Sequence, residues 1–130
     1  MKFKYKKYGP DTLRPVIPIE VSFNSISVPY EVLIDSGADV CIFDSDIADI
    51  LGIDVIKGIR REVSGVTGIP EYYYLHKVTI IIDGLKFKTD VGFMKLRNQA
   101  FGIVGQKGFF DKFKVSFDLK KEEIEIKPTP

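Results

Sequence analysis

A single carboxylate, Asp35, stands where the apolar run Val32-Leu33-Ile34 meets a Ser36-Gly37 turn. A carboxylate delivered by a buried strand onto a tight glycine-containing loop is held partly out of water, a setting suited to acid/base work. Ser36 supplies a hydroxyl that can pin the loop, and Gly37 allows a second backbone to approach closely. The hydrolytic chemistry this suggests uses two carboxylates. At a separation of about 3 Å they cannot both ionise, so they share one proton and act together as base and acid. No second motif of this kind stands out. Asp83-Gly84 reads as a hairpin turn, and Asp90-Val91-Gly92 has no apolar strand leading into its Asp. An Asp-x-Gly triplet on its own is a common turn; its setting after an apolar strand separates this one from the rest.

Other reactive side chains offer less. Cys41 lies among apolar residues and reads as a small buried hydrophobe, and a lone cysteine excludes an internal disulfide or a cysteine-rich zinc site. His76 is the only histidine, so it has no nucleophile pairing to recommend it. No metal-ligand cluster or phosphate-cradling loop appears, and neither a metal nor a cofactor is expected. The net charge of +1 gives no broad field for nucleic acid or acidic partners. The lysines at 2, 4, 6 and 7 are expected to form a solvated basic arm over residues 1–13. With no apolar run after them they do not resemble a secretory signal, no stretch is long enough to span a bilayer, and the expected compartment is the reducing cytoplasm.

The elements that must position Asp35 are mostly strands. The chain has 130 residues, 45% hydrophobic and 28% charged, which suits one globular domain over residues 1–130. Ile17, Ile19, Val21 and Phe23 alternate, as do Ile26, Val28, Tyr30, Val32 and Ile34, with Asn24-Ser25 as the turn between them. Pro18 and Pro29 suggest edges or strand ends. Ile47, Ile50 and Leu51 have helical spacing, with Asp44 or Ser45 as the cap and Gly52 as the stop. Strand-like text follows from Ile53 to Gly65, from Glu71 to Ile82 and from Leu85 to Phe93. Residues 105–113 suit a short helix or turn. A closing hairpin sets Val115, Phe117 and Leu119 against Ile124 and Ile126.

In this order the motifs resemble the retropepsin-like aspartic proteases. The resemblance rests on "LIDSGAD", a helix ending in "IADILGI", a glycine-bearing hairpin "VSGVTGIPEYY" at the position of the flap, and "GIVGQKGFFDKFKVSFD" leading into the final strands. It covers roughly residues 14 to 127; the first and last motifs are its specific parts, and the flap is placed by position. It implies an all-β fold, a closed barrel lobe with one or two short helices and a flap hairpin. It also implies a homodimer in which each subunit contributes one Asp at the two-fold axis, so that a monomer is inactive.

Residue by residue, Asp35 matches the catalytic carboxylate, and Ser36 the hydroxyl that crosses to the other subunit's loop. Gly37 matches the glycine whose carbonyl receives the substrate backbone, and Ala38 and Asp39 match subsite positions. Val66, Thr67, Gly68 and Ile69 match the flap that closes over substrate, while Ile103, Val104 and Gly105 match the apolar-apolar-Gly beneath the catalytic loop. Many members follow that glycine with an Arg that pairs with an acidic residue beside the loop. Gln106 stands there instead, leaving Asp39 to find Lys107, Arg60 or Arg61, or no partner. Tyr72, Tyr73 and Tyr74 cannot share one strand face; one is expected in the core and another at the cleft.

The implied function is a homodimeric aspartic endopeptidase acting on extended, hydrophobic segments of a peptide or unfolded protein, with no nucleic-acid or membrane partner. The alternatives are a catalytically silent dimeric peptide-binding module and, more distantly, a nucleic-acid binder using the basic start and Tyr72 to Tyr74.

Overall fold

The structure, a computed structural model, describes residues 1–63, 68–97 and 100–130. Its strands are β1 (Lys2–Lys4), β2 (Lys6–Lys7), β3 (Leu13–Arg14), β4 (Val16–Phe23), β5 (Ile26–Ile34), β6 (Ile42–Asp44), β7 (Ile59–Val63), β8 (Glu71–Ile82), β9 (Leu85–Met94), β10 (Gly102–Val104), β11 (Phe113–Asp118) and β12 (Glu123–Pro128). Helix α1 (Ser45–Leu51) follows β6, and a 3-10 turn spans Val55–Lys57. Mostly β with one short helix, this is the class the motifs imply. The 3-10 turn interrupts text that reads as strand, and residues 106–112 form turns rather than a second helix.

Six strands close a barrel in the order β4-β5-β10-β6-β9-β8, with β8 returning to β4 through Glu20↔Ile81, Val21↔Ile80 and Ser22↔Thr79. Strand β7 extends the sheet beyond β8. Two pairings are parallel, β10 with β5 and β6 with β9. Alternation sends Ile17, Ile19, Val21, Val32, Ile34, Phe43, Val91, Phe93 and Val104 into the core. Two-residue turns set the hairpin registers. Asn24 and Ser25 take φ 46 and 71, Asp83 and Gly84 take φ 47 and 83, and both pairs match the twist of their strands.

Pro18 and Pro29 lie inside β4 and β5 rather than at their ends. The Ile34 N–H donates to the Pro15 carbonyl, so the register places Pro18↔Glu31 and Pro29↔Glu20 at non-hydrogen-bonded pairs. Each proline nitrogen therefore points to the strand's other side. There β8 reaches only Glu20 to Ser22, and β10 begins only opposite Val32. No ladder bond is lost.

Helix α1 is capped by Asp44, whose side chain accepts from the Asp46 N–H, and Gly52 ends it in the left-handed region at φ 75. Its buried face is Ile47, Ala48 and Leu51, while Ile50 is exposed. The larger side chain at 50 misplaced that face by sequence, because the small Ala48 packs closer.

The lysine-rich start is laid into a sheet of order β1-β12-β11 rather than extended as an arm. Lys2, Lys4, Lys6 and Lys7 point outward, and Met1, Phe3 and Tyr5 pack against the core. The closing hairpin pairs Val115↔Ile126 and Phe117↔Ile124 as expected, with Leu119 in the turn at 63% exposure instead of in the ladder. Among the described residues no helix is long and apolar enough to cross a membrane.

Candidate active site

Strand β5 ends at Ile34, and its parallel partner β10 ends at Val104 directly beside it. The Asp35 N–H continues that ladder by donating to the Val104 carbonyl at 3.0 Å, so the first loop residue is still held by the sheet. The chain then turns sharply. Asp35 Oδ1 accepts from the Gly37 N–H at 2.9 Å, and the Asp35 carbonyl accepts from the Ala38 N–H at 3.2 Å. A Cβ at Gly37 would sit 3.3 Å from Asp35 Oδ1, tight enough to press on the carboxylate. Asp35 is half-buried, whereas Ser36 and Gly37 are exposed. Among the described residues the Ser36 hydroxyl has no hydrogen-bond partner in its own chain.

The segment after β10 braces this loop from below. The Gln106 N–H donates to the Ala38 carbonyl at 2.8 Å, and the Lys107 N–H donates to the Asp39 carbonyl at 3.0 Å. Gly105 makes that contact possible. A Cβ there would lie 2.5 Å from the carbonyl oxygens of both Ala38 and Val40. Behind the loop Cys41 is fully buried; its Sγ accepts from the Gly105 N–H at 3.4 Å and donates to the Lys107 carbonyl at 3.5 Å. Burial pushes the thiol up to about 11, despite the opposing pull of the Gly105 N–H. It is a structural link and not a nucleophile at neutral pH.

Gln106 also supplies a brace that sequence reasoning missed. Its Nε2 donates to the Ser36 carbonyl at 2.9 Å. None of Lys107, Arg60 and Arg61 forms an ion pair with Asp39 among the described residues. An amide–carbonyl bond to the loop backbone thus occupies position 106, where the resemblance implies an Arg.

One face of the sheet carries both Asp35 and a half-buried apolar row. Leu33 precedes Asp35 by two residues and pairs with Ile103, which pairs with Ile42, which pairs with Gly92. Residues opposed across strands share a face, so Leu33, Ile103 and Ile42 line up beside the carboxylate. A Cβ at Gly92 would meet the Tyr73 ring at 2.6 Å and Ile42 Cδ1 at 2.9 Å, so Gly92 makes room for Tyr73 to lie over the end of this row. Of the row Leu33, Ile103 and Ile42, the sequence marks Ile103 alone as a site residue, and Tyr73 is one of the three tyrosines from which it expects a cleft residue. Parity with Asp35, two residues further along the chain, is the sequence signal that points to Leu33. The tyrosine expected in the core is not there: Tyr73 and Tyr74 are half-buried, and Tyr72 is exposed beneath the Arg60 guanidinium at 4.7 Å.

Farther out, the Asp44 carboxylate does two jobs. Oδ2 caps α1, and Oδ1 accepts from the Leu96 N–H at 2.8 Å, tethering the segment that leads from β9 toward β10. The Tyr30 hydroxyl accepts from the Asp44 N–H at 3.1 Å; burial pushes the phenol up to about 12. Gly102 leaves room for that ring, since a Cβ there would lie 2.6 Å from Tyr30 Cε2. His76 Nε2 lies 2.8 Å from the Val55 carbonyl and, among the described residues, makes no hydrogen bond in this site. Of the flap candidates, Gly68 and Ile69 are exposed, and Val66 and Thr67 lie outside the described residues.

The family model described as "Aspartyl protease" matches residues 19–107, spanning the Asp35 loop, α1 and the Gly105 brace. The chain belongs to the aspartyl protease family. A retropepsin-like aspartic protease from Rickettsia conorii shares its fold, with a TM-score of 0.61 at 14% identity over 95% of this chain and 88% of that one. EIAV protease, 22% identical over 78% of this chain and 88% of that one, aligns with a TM-score of 0.48. Comparison with curated protein sequences returns no match.

Proposed function

We propose that this aspartyl protease family member is a homodimeric endopeptidase in which Asp35 from each of two copies forms the catalytic pair. The observation that carries the reading is the loop itself. It offers one carboxylate, braced from below and open above, beside a Ser36 hydroxyl with no partner in its own chain among the described residues. A two-fold axis at this loop would supply the second carboxylate from the same residue, and the two Ser36 hydroxyls would lock one loop to the other.

The chemistry then balances within the pair. The ionised Asp35 takes a proton from water as the oxygen attacks the scissile carbonyl carbon, while its protonated twin donates to the carbonyl oxygen. The tetrahedral intermediate collapses as the carboxyl that gained the water's proton passes it to the amide nitrogen, the other carboxylate takes a hydroxyl proton back, the carbonyl reforms and the amine leaves. Gly37 presents its carbonyl to the substrate backbone, Ala38 and Asp39 flank it, and the row of Leu33, Ile42 and Ile103 receives apolar side chains. An extended peptide suits such a floor, with backbone bonds providing affinity and alternate side chains providing specificity. Val66, Thr67, Gly68 and Ile69 would close over it and exclude water.

The test is cleavage of an unfolded protein or an apolar peptide at acidic to mildly acidic pH, using wild type and Asp35→Asn. The variant is expected to dimerise normally and cleave nothing. Undiminished cleavage by Asp35→Asn would end this mechanism, and a dimer that cleaves nothing over a broad pH range would favour a silent peptide-binding module.

A further inference from the structure

Just past the catalytic loop, Val40 bridges to Lys107, and together they form one wall of a cavity of about 460 Å³. Its floor is the buried Thr89, whose hydroxyl donates to the Gly108 carbonyl at 2.9 Å. Gly108 is required there, at φ 103 and with a Cβ position only 2.7 Å from Thr89 Oγ1. Four lysines, 77, 88, 107 and 112, and two aspartates, 90 and 111, line the cavity, a net charge of +2 where the whole chain carries +1. The charges are not mutually satisfied. Lys77 pairs with Asp90 at 3.4 Å, and Asp111 accepts from the Gly108 N–H at 3.1 Å. Lys88, Lys107 and Lys112 have no carboxylate within 4.0 Å among the described residues. A second hollow of about 290 Å³ shares Lys77 and Lys88 and continues toward the β4–β5 turn at Phe23 and Asn24.

We propose that this groove is a docking site for an acidic segment of the polypeptide substrate, lying to one side of the bond to be cut. The proposal rests on the endopeptidase reading. It adds that three unpaired ammonium groups, starting at the wall of the catalytic loop, select substrates with several Asp or Glu residues next to an apolar core. A peptide is the occupant that fits. The groove begins at Val40, just past the loop that presents Asp35, and its polar floor is already satisfied internally, leaving the rim lysines as the recognising groups. Exposed pairs are individually weak, so three acting together are expected to give about a tenfold preference at low salt that shrinks as salt screens them.

Binding is measured first on Asp35→Asn, by fluorescence anisotropy of two labelled peptides that share one apolar core and carry either four Glu or four Gln on one flank. The Glu peptide is expected to bind about tenfold more tightly in 50 mM salt and nearly equally in 500 mM. K88E/K112E should abolish that preference, and K120E/K121E in the β11–β12 turn should preserve it. Equal binding of the two peptides, or a preference untouched by K88E/K112E, would overturn the proposal. Equally effective competition by a single-stranded DNA of the same charge would overturn it too, by showing a general polyanion surface. With wild type, the preference should enter kcat/KM through KM. If wild type cleaves neither peptide while the binding preference holds, the endopeptidase reading fails and the acidic-segment site stands.

Discussion

Replacing Gly105 by alanine puts a methyl group where the structure has no room. The new Cβ would lie 2.5 Å from the carbonyl oxygens of Ala38 and Val40 and 3.0 Å from the Ala38 carbonyl carbon, all backbone atoms that no rotamer change can move. Overpacking costs about 1–3 kcal/mol, and an obstruction made only of backbone belongs near the top of that range. Separating the two segments also strains the bonds from the Gln106 and Lys107 N–H groups to the Ala38 and Asp39 carbonyls, at 2.8 and 3.0 Å. Each contributes about 1 kcal/mol, so the total loss is about 4–5 kcal/mol. At about 4 °C per kcal/mol for a chain of this size, the thermal midpoint should fall by about 15–20 °C. Gly84→Ala is the control. Gly84 sits in the left-handed region at φ 83, but its Cβ would meet nothing within 4 Å, so only backbone strain of about 1–2 kcal/mol applies. Differential scanning fluorimetry on both variants decides. A Gly105→Ala midpoint within 5 °C of wild type, or above that of Gly84→Ala, would refute the packing of the Asp35 loop on the Gly105 segment.

Gln106→Leu removes the donor to the Ser36 carbonyl at an exposed site; thermal stability should barely change, while kcat falls about tenfold to a hundredfold through loss of loop positioning. An unchanged kcat would make the amide bond incidental. Cys41 is raised in the folded chain from about 9 to about 11, so its contribution of about 3 kcal/mol is fully present below pH 9 and is lost as pH rises through 11. Urea midpoints measured from pH 7 to 11 should fall over that window in wild type and less steeply in Cys41→Ala, and equal slopes would contradict the burial of the thiol. Asp44→Ala loses both the α1 cap and the bond from the Leu96 N–H, a cost of about 2–3 kcal/mol. Asp44→Asn should recover part of it in the same melts.

What was legible in the sequence is what local chemistry decides. Asn24-Ser25 and Asp83-Gly84 announced their hairpins because two-residue turns need positive φ, and "LIDSGAD" announced its loop because strand, carboxylate and glycine are contiguous. Contacts between distant segments were not legible. Lys2–Lys4 read as a free arm because its partners, Glu123 to Glu125, lie at the other end of the chain. The partner of Gln106 is a backbone carbonyl 70 residues away, to which side-chain type is no guide. Leu33 and Ile42 join Ile103 only once the parallel pairing of β10 with β5 and its antiparallel pairing with β6 set the register, and the lysine groove draws its lining from four separate stretches. Asp44 was read as one of two possible caps; its second bond, to Leu96, depends on where β9 ends.

The central claim is that one working site needs two copies of Asp35. It is tested most directly by mixing wild type with Asp35→Asn at concentrations where the chain is fully dimeric, allowing exchange, and measuring peptide cleavage at a fixed amount of wild type. If both carboxylates are required, only wild-type pairs are active, and cleavage should fall in proportion to the wild-type fraction, to about half at equal mixing. Cleavage that stays constant as Asp35→Asn is added would show that each Asp35 acts alone, and the shared site would be wrong.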